Sequence, residues 1–176
     1  HYTVVCAPEE GPTVFDSLVN RGLNAPPFGY ETLDALALEA GSAQFATEIE
    51  SRLANDTGLR DAVDFEKGCF VGQEVASRIE NRGRPSTNLC GISPERCPDR
   101  GDTVLGTEGD AIGEVTSALV SPTLEEPIAM AALDAGTVSE GDTLTIETGE
   151  GPTDATVTPL PFVDGSERSG RIPTYQ

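Results

Sequence analysis

From Asn88 onward the chain reads NLCGIS (88–93), DTVL (102–105), AIGEVTSALV (111–120), IAMAAL (128–133), TLTIE (143–147) and ATVTP (155–159). β-Branched and small residues fill these runs. Gly, Pro, Asp and Ser separate them at roughly 8–12-residue intervals, with almost no helical period. Six short runs of this kind predict a small antiparallel barrel or sandwich over residues 88–164.

Upstream of Arg84-Pro85 the pattern is different. Tyr2–Ala7 reads as a short strand ending at Pro8. Glu9, Glu10, Gly11 and Pro12 open a helix through Asn20, with Val14, Phe15, Leu18 and Val19 on its apolar face. Pro26-Pro27-Phe28-Gly29 breaks the chain before a second helix over about 30–40. There Leu33, Leu36, Ala37 and Ala40 share one face, and Gly41 is the expected stop. A strand is expected near Asp61–Phe65 and a helix from about Gly72 to Ile79. The class is therefore α+β, with a boundary between Asn81 and Thr87: residues 1–84 form a first portion, 88–164 the strand-rich domain, and 165–176 a loose tail. Because His1-Tyr2-Thr3-Val4-Val5 starts inside a strand pattern, the expectation is that something upstream is missing.

Thirty acids against eleven bases give this 176-residue chain a net charge of −19. The acids are spread along the whole length and not gathered in a tail, and ten of the eleven bases are arginine. That is the surface of a protein at home in high salt, where self-repulsion is screened. It argues against nucleic acid as a partner, since phosphate neutralisation needs a basic face. No apolar run is long enough to span a membrane and no signal segment is present, so the expectation is a cytoplasmic protein with reduced thiols. Cys6, Cys69, Cys90 and Cys97 match no common zinc spacing and His1 is the only histidine, so no metal site is expected.

The only lysine, Lys67, stands two residues before a thiol in Lys67-Gly68-Cys69-Phe70-Val71-Gly72-Gln73-Glu74. A nearby ammonium favours the thiolate, and so does a helix start beside it. Gly68 and Gly72 suit a left-handed entry into such a helix. Cys69 is thus expected to be the most reactive thiol. Cys97, flanked by Arg96 and Arg100, is its competitor, and Cys6 and Cys90 are expected to be core hydrophobes. Lys67, Arg78, Arg82 and Arg84 outnumber Glu74 and Glu80, which leaves a local positive balance suited either to an anionic ligand or to pairing with surface carboxylates. Glu39 sits at the end of the second helix, against the dipole. It is either a solvated acid or a carboxylate waiting for a ligand with two parallel N–H donors.

Lys67–Glu74 (KGCFVGQE), with Arg78 and Arg82-Gly83 after it, resembles the signature of the YgfZ-type folate-binding proteins. Those belong to the glycine-cleavage T-protein (aminomethyltransferase) superfamily. Leu38-Glu39-Ala40-Gly41 resembles that superfamily's glutamate–alanine–glycine segment, and Gly113–Ala118 with Leu160-Pro161-Phe162 resembles its C-terminal barrel. The resemblance implies the C-terminal half of such a protein: a ferredoxin-like-type α/β portion followed by a small antiparallel β-barrel. It implies tetrahydrofolate as cofactor, with Glu39 on the pterin and Lys67 and Arg78 facing the glutamate tail. Cys69, assisted by Lys67, is the implied reactive centre, and iron–sulfur client proteins are the implied partners of a protein that assembles or repairs them. The alternative is an aminomethyltransferase that moves a one-carbon unit to tetrahydrofolate; a third reading is an interaction module without a ligand. The chain departs from the family at Ala37, where arginine is frequent. It also departs at Cys69, where the aminomethyltransferases usually carry an acid or another residue. The acid assigned to catalysis in the aminomethyltransferases has no counterpart here.

Overall fold

The six runs become six strands: β1 (Thr87–Pro94), β2 (Thr103–Leu105), β3 (Ala111–Val120), β4 (Pro127–Asp134), β5 (Thr143–Thr148) and β6 (Gly151–Thr158). All pairings are antiparallel in the order β1-β4-β3-β2-β5-β6, and β6 pairs back onto β1 to close a barrel. The computed structural model describes residues 4–22, 26–59, 62, 64, 67–69, 71–74 and 85–164. Its contacts divide the chain into two compact units, His1–Leu33 and Asp34–Gln176.

Inside the barrel, Cys90 and Ile92 from β1, Ala129, Ala131 and Leu133 from β4, Leu144 and Ile146 from β5, and Ala155 and Val157 from β6 form one core with Val104, Ile112 and Val115. The period of two that places these side chains inward is the alternation visible in the sequence. IAMAAL does not alternate, because β4 is buried on both faces. Its other set, Ile128, Met130 and Ala132, joins Leu89 in a second core outside the barrel wall, completed by Leu38, Ala43 and Leu59. Each fully buried Leu, Ile or Met contributes about 1.5–3 kcal/mol, so the double-faced β4 is the strand on which the second unit depends most.

Leu160 and Phe162 pack onto this outer core. The space for Leu160 is made by two glycines: a Cβ on Gly41 would lie 2.9 Å from Leu160, and one on Gly91 would lie 2.7 Å from it. In β3, a Cβ on Gly113 would stand 2.0 Å from the Ala132 carbonyl oxygen of β4, so only glycine lets these two strands approach. The register of β3 against β4 shifts between Val115 and Ser117, a bulge that turns the strand's second half toward a new face.

Before Thr87 the described residues hold helices and no strand. After a short 3-10 turn (Pro8–Glu10), α1 spans Gly11–Arg21 and α2 spans Tyr30–Glu39. Val4–Ala7 carry no regular structure: extended backbone needs a pairing partner, and among the described residues they have none. In α1 the expected apolar face is not buried, with Phe15 58% and Leu18 47% exposed. In α2 the burial differs from the expected face: Leu33 and Leu36 are exposed, while Leu38 and Glu39 are buried. Only the C-terminal end of α2 reaches the outer core, so the residues at that end are covered whatever their period. Of the strand expected near 61–65 only Ala62 and Asp64 are described, and neither is in a strand; the rest of that segment, most of the helix expected from Gly72, and the tail lie outside the described residues.

Candidate functional site

α2 ends as Gly41 predicts. Gly41 has φ +59°, its N–H donates to the Leu38 carbonyl at 2.8 Å, and the Ser42 N–H donates to the Ala37 carbonyl at 2.8 Å. This pair of bonds is a Schellman motif, and it turns the chain sharply away from the helix axis. The Glu39 carbonyl is taken by the Val163 N–H at 3.1 Å, which ties the Leu160–Phe162 segment to the helix end.

Glu39 is 7% exposed, and its carboxylate is held by the turn between β3 and β4. Ser121 Oγ donates to Oε1 at 2.5 Å, the Thr123 N–H donates to Oε1 at 2.9 Å, and Thr123 Oγ1 donates to Oε2 at 3.0 Å. Ser121 Oγ in turn accepts the Leu124 N–H at 2.9 Å. Burial works to raise the Glu39 pKa, but the Ser121 hydroxyl and then the two Thr123 donors outweigh it, leaving the carboxyl below its ordinary 4.5. A carboxylate has about four accepting positions. Three are used, so a pterin presenting two parallel N–H donors would find one position free at Glu39.

After Gly41 the chain enters a π-helical turn (Phe45–Ile49) and then a 3-10 turn (Ala54–Thr57). Glu48 reaches back over the first of these: its Oε2 accepts the Gln44 N–H at 2.8 Å and the Thr47 hydroxyl. Gln44 Nε2 also donates to Asp34 Oδ1 at 3.1 Å. This turn faces the second half of β3 across a cleft of about 410 Å³. Thr116, Ser117, Ala118 and Leu119 all line it, four consecutive residues from the bulge onward. Opposite them are Asp34, Gln44, Thr47 and Glu48, with Asp99 and Arg100 from the β1–β2 loop. The Arg100 guanidinium donates to the Ala46 carbonyl at 3.1 Å, which fixes that loop against the turn. The cleft is thus walled by three acids and one engaged arginine, an arrangement that favours donor-bearing, positively charged groups.

Neither Glu39, Lys67 nor Cys69 lines this cleft. Lys67 and Cys69 are both exposed. Gly72 takes φ +89° and is followed directly by helical Gln73 and Glu74, the left-handed entry expected of it. Arg78, with Arg82 and Arg84, lies outside the described residues. Cys90 is buried as expected, but Cys6 is exposed, as are all of Val4–Ala7. Cys97 is exposed too, yet its arginine neighbours do not serve it. Arg96 donates to the Gly151 and Pro152 carbonyls, and Arg100 donates to Ala46. Partial burial, and then the charge of Asp99, push the Cys97 thiol up instead.

Sequence reasoning missed Glu48, Ser121 and Thr123. Glu48 stands among other acids and reads as solvated. Ser121 and Thr123 read as turn residues, and only their return to Glu39 over a separation of more than eighty residues gives them a role.

Residues 88–164 match the family described as the glycine cleavage T-protein C-terminal barrel domain. Over 142 residues the chain is 38% identical to an aminomethyltransferase of Streptomyces coelicolor, covering 76% of this chain and 38% of that protein. It is 34% identical over 158 residues to the mitochondrial aminomethyltransferase of Gallus gallus, covering 83% and 39%. The crystal structure of glycine cleavage system aminomethyltransferase T from Bartonella henselae is similar with a TM-score of 0.76 at 26% identity, over 88% of this chain and 44% of that one. The chain spans less than half the length of these relatives. The closed barrel of residues 88–164 therefore belongs to the glycine cleavage T-protein C-terminal barrel family, and the chain carries the C-terminal region of that superfamily.

Proposed function

We propose that this chain is part of an aminomethyltransferase-type protein that binds tetrahydrofolate and passes a one-carbon unit to it from an aminomethyl carrier. The observation that carries this reading is the match of the whole barrel to the T-protein domain, joined to likeness over 76% or more of the chain with proteins named aminomethyltransferase. Tetrahydrofolate, when bound, supplies the amine that accepts the one-carbon unit. The chain's own contribution is to hold it: Lys67 and Arg78 would face the carboxylates of the glutamate tail, and Glu39 would offer the pterin edge its remaining accepting position. Equilibrium dialysis of tetrahydrofolate against the chain tests the reading, with tetrahydropterin, which has no glutamate tail, as control. Saturable binding that Lys67→Met weakens for tetrahydrofolate and not for tetrahydropterin is expected. Absence of binding to either compound would overturn it.

One observation favours the YgfZ-type reading as a second: an exposed Cys69 in the Lys67–Glu74 run, next to a left-handed Gly72. One-carbon transfer to folate needs no thiol, whereas support of iron–sulfur proteins through Cys69 would. Cys69→Ser separates the two. Under the transferase reading it leaves folate binding and transfer unchanged; under the second it abolishes the support of iron–sulfur enzyme activity while folate binding persists.

A further inference from the structure

Glu48, in the lining of the cleft beside β3, carries an acceptor oxygen that the described residues leave unused. Glu48 is 1% exposed, and both hydrogen bonds it receives go to Oε2. Its Oε1 is enclosed and has no partner among the described residues. Buried polar atoms without a hydrogen bond are few in native proteins, and each one asks for a missing water, ion or ligand. The other such atom among the described residues, Thr153 Oγ1, is not part of the cleft lining. At Glu48 the orphan coincides with a cleft of about 410 Å³, a size typical of small-molecule sites.

The charge around it selects the ligand. Asp34 and Asp99 join Glu48 in the lining, and the opposing Arg100 guanidinium donates to Ala46. An anion would meet three acids. A metal ion needs several convergent oxygens, and the described residues hold no group of three or more acids, Cys or His placed to bind one. An N–H donor carrying positive charge meets what the cleft presents. We propose that this cleft binds a small organic cation of the amine or amidine class, its N–H donors directed at the Glu48 carboxyl and its charge held between Asp34 and Asp99. The site excludes Glu39, Lys67 and Cys69, and so goes beyond the folate reading and does not depend on it.

The test uses the 176-residue chain with benzamidine as probe, and with benzoate and benzyl alcohol as anionic and neutral analogues of similar size. Backbone amide shifts of Gln44, Thr47 and Glu48 are followed by NMR during titration. Saturable shifts with benzamidine alone are expected, weakened about tenfold or more by Glu48→Gln. Ala46→Phe introduces bulk at an exposed lining position and should block binding while leaving the circular dichroism spectrum unchanged. If Glu48→Gln does not fold, Ala46→Phe decides alone. Equal binding of benzoate, no saturable shift with benzamidine, or binding insensitive to Ala46→Phe would each overturn the proposal; the second would mean that solvent alone serves Oε1.

Discussion

Glu39→Ala should be among the most damaging single substitutions of a charged residue in the second unit. It removes the acceptor of three hydrogen bonds at 2.5, 2.9 and 3.0 Å and leaves the Ser121 hydroxyl buried, since that residue is 1% exposed. Hydrogen bonds to a charged acceptor are worth about 1.5–3 kcal/mol each, but these three share one carboxylate and do not add. A loss of about 3 kcal/mol is expected for Glu39→Ala and about 1–2 kcal/mol for Glu39→Gln, which keeps the shape and one oxygen. The pH dependence supplies an independent check. The folded carboxyl lies below its ordinary value, so its stabilisation is fully present above the unfolded pKa and disappears as pH falls through the folded one. The stability gap between the wild-type chain and Glu39→Gln should therefore shrink on acidification below about pH 4.3. The chain has no tryptophan, and none of its three tyrosines (Tyr2, Tyr30 and Tyr175) falls within the barrel sequence, residues 87–158. Urea unfolding should therefore be followed by far-ultraviolet circular dichroism. A cost below about 0.5 kcal/mol for Glu39→Ala, or a gap that widens in acid, would refute the clamp, because removing a buried acceptor of three hydrogen bonds leaves its donors unpaired.

Gly113→Ala should destabilise by about 1–3 kcal/mol or more, because its Cβ would meet the Ala132 carbonyl oxygen at 2.0 Å; amide exchange along the β3–β4 ladder would report the separation. Thr153→Val should be neutral or stabilising by up to about 1 kcal/mol in thermal denaturation, since it deletes a buried hydroxyl that has no partner among the described residues. Limited alkylation with mass-spectrometric mapping should label Cys69 ahead of Cys97 and leave Cys90 untouched, and Asp99→Asn should quicken Cys97 by removing the charge that disfavours its thiolate. Added sodium chloride should raise the melting temperature steadily, because a net charge of −19 repels itself; a melting temperature indifferent to salt would count against the high-salt reading.

The six strands were legible because strand alternation is a local property. AIGEVTSALV became β3 with the bounds expected for it, Ala111–Val120, and the other five runs shifted by only a few residues at either end. Gly41 was legible for the same reason: a helix stop needs only its own backbone conformation. The face of α2 was not, because which side of a helix is covered depends on what packs against it, and only its end meets the outer core. The arginines around Cys97 misled in the same way. Adjacency in sequence suggested proximity of charge, but long side chains reached backbone carbonyls elsewhere, and Asp99 set the local field.

Composition, the six alternating runs and the positions of glycine thus determined by themselves that this chain is an acidic α+β protein with an antiparallel strand domain, barrel or sandwich. These depend on near neighbours and on the period of the backbone. Tertiary structure alone decided the rest. It closed β6 onto β1, and it placed Ser121 and Thr123 on Glu39. It also set a bulged β3 across from Glu48 to make a cleft. Each of these joins residues far apart in sequence, and a contact across that separation leaves no pattern in either segment until the chain has folded.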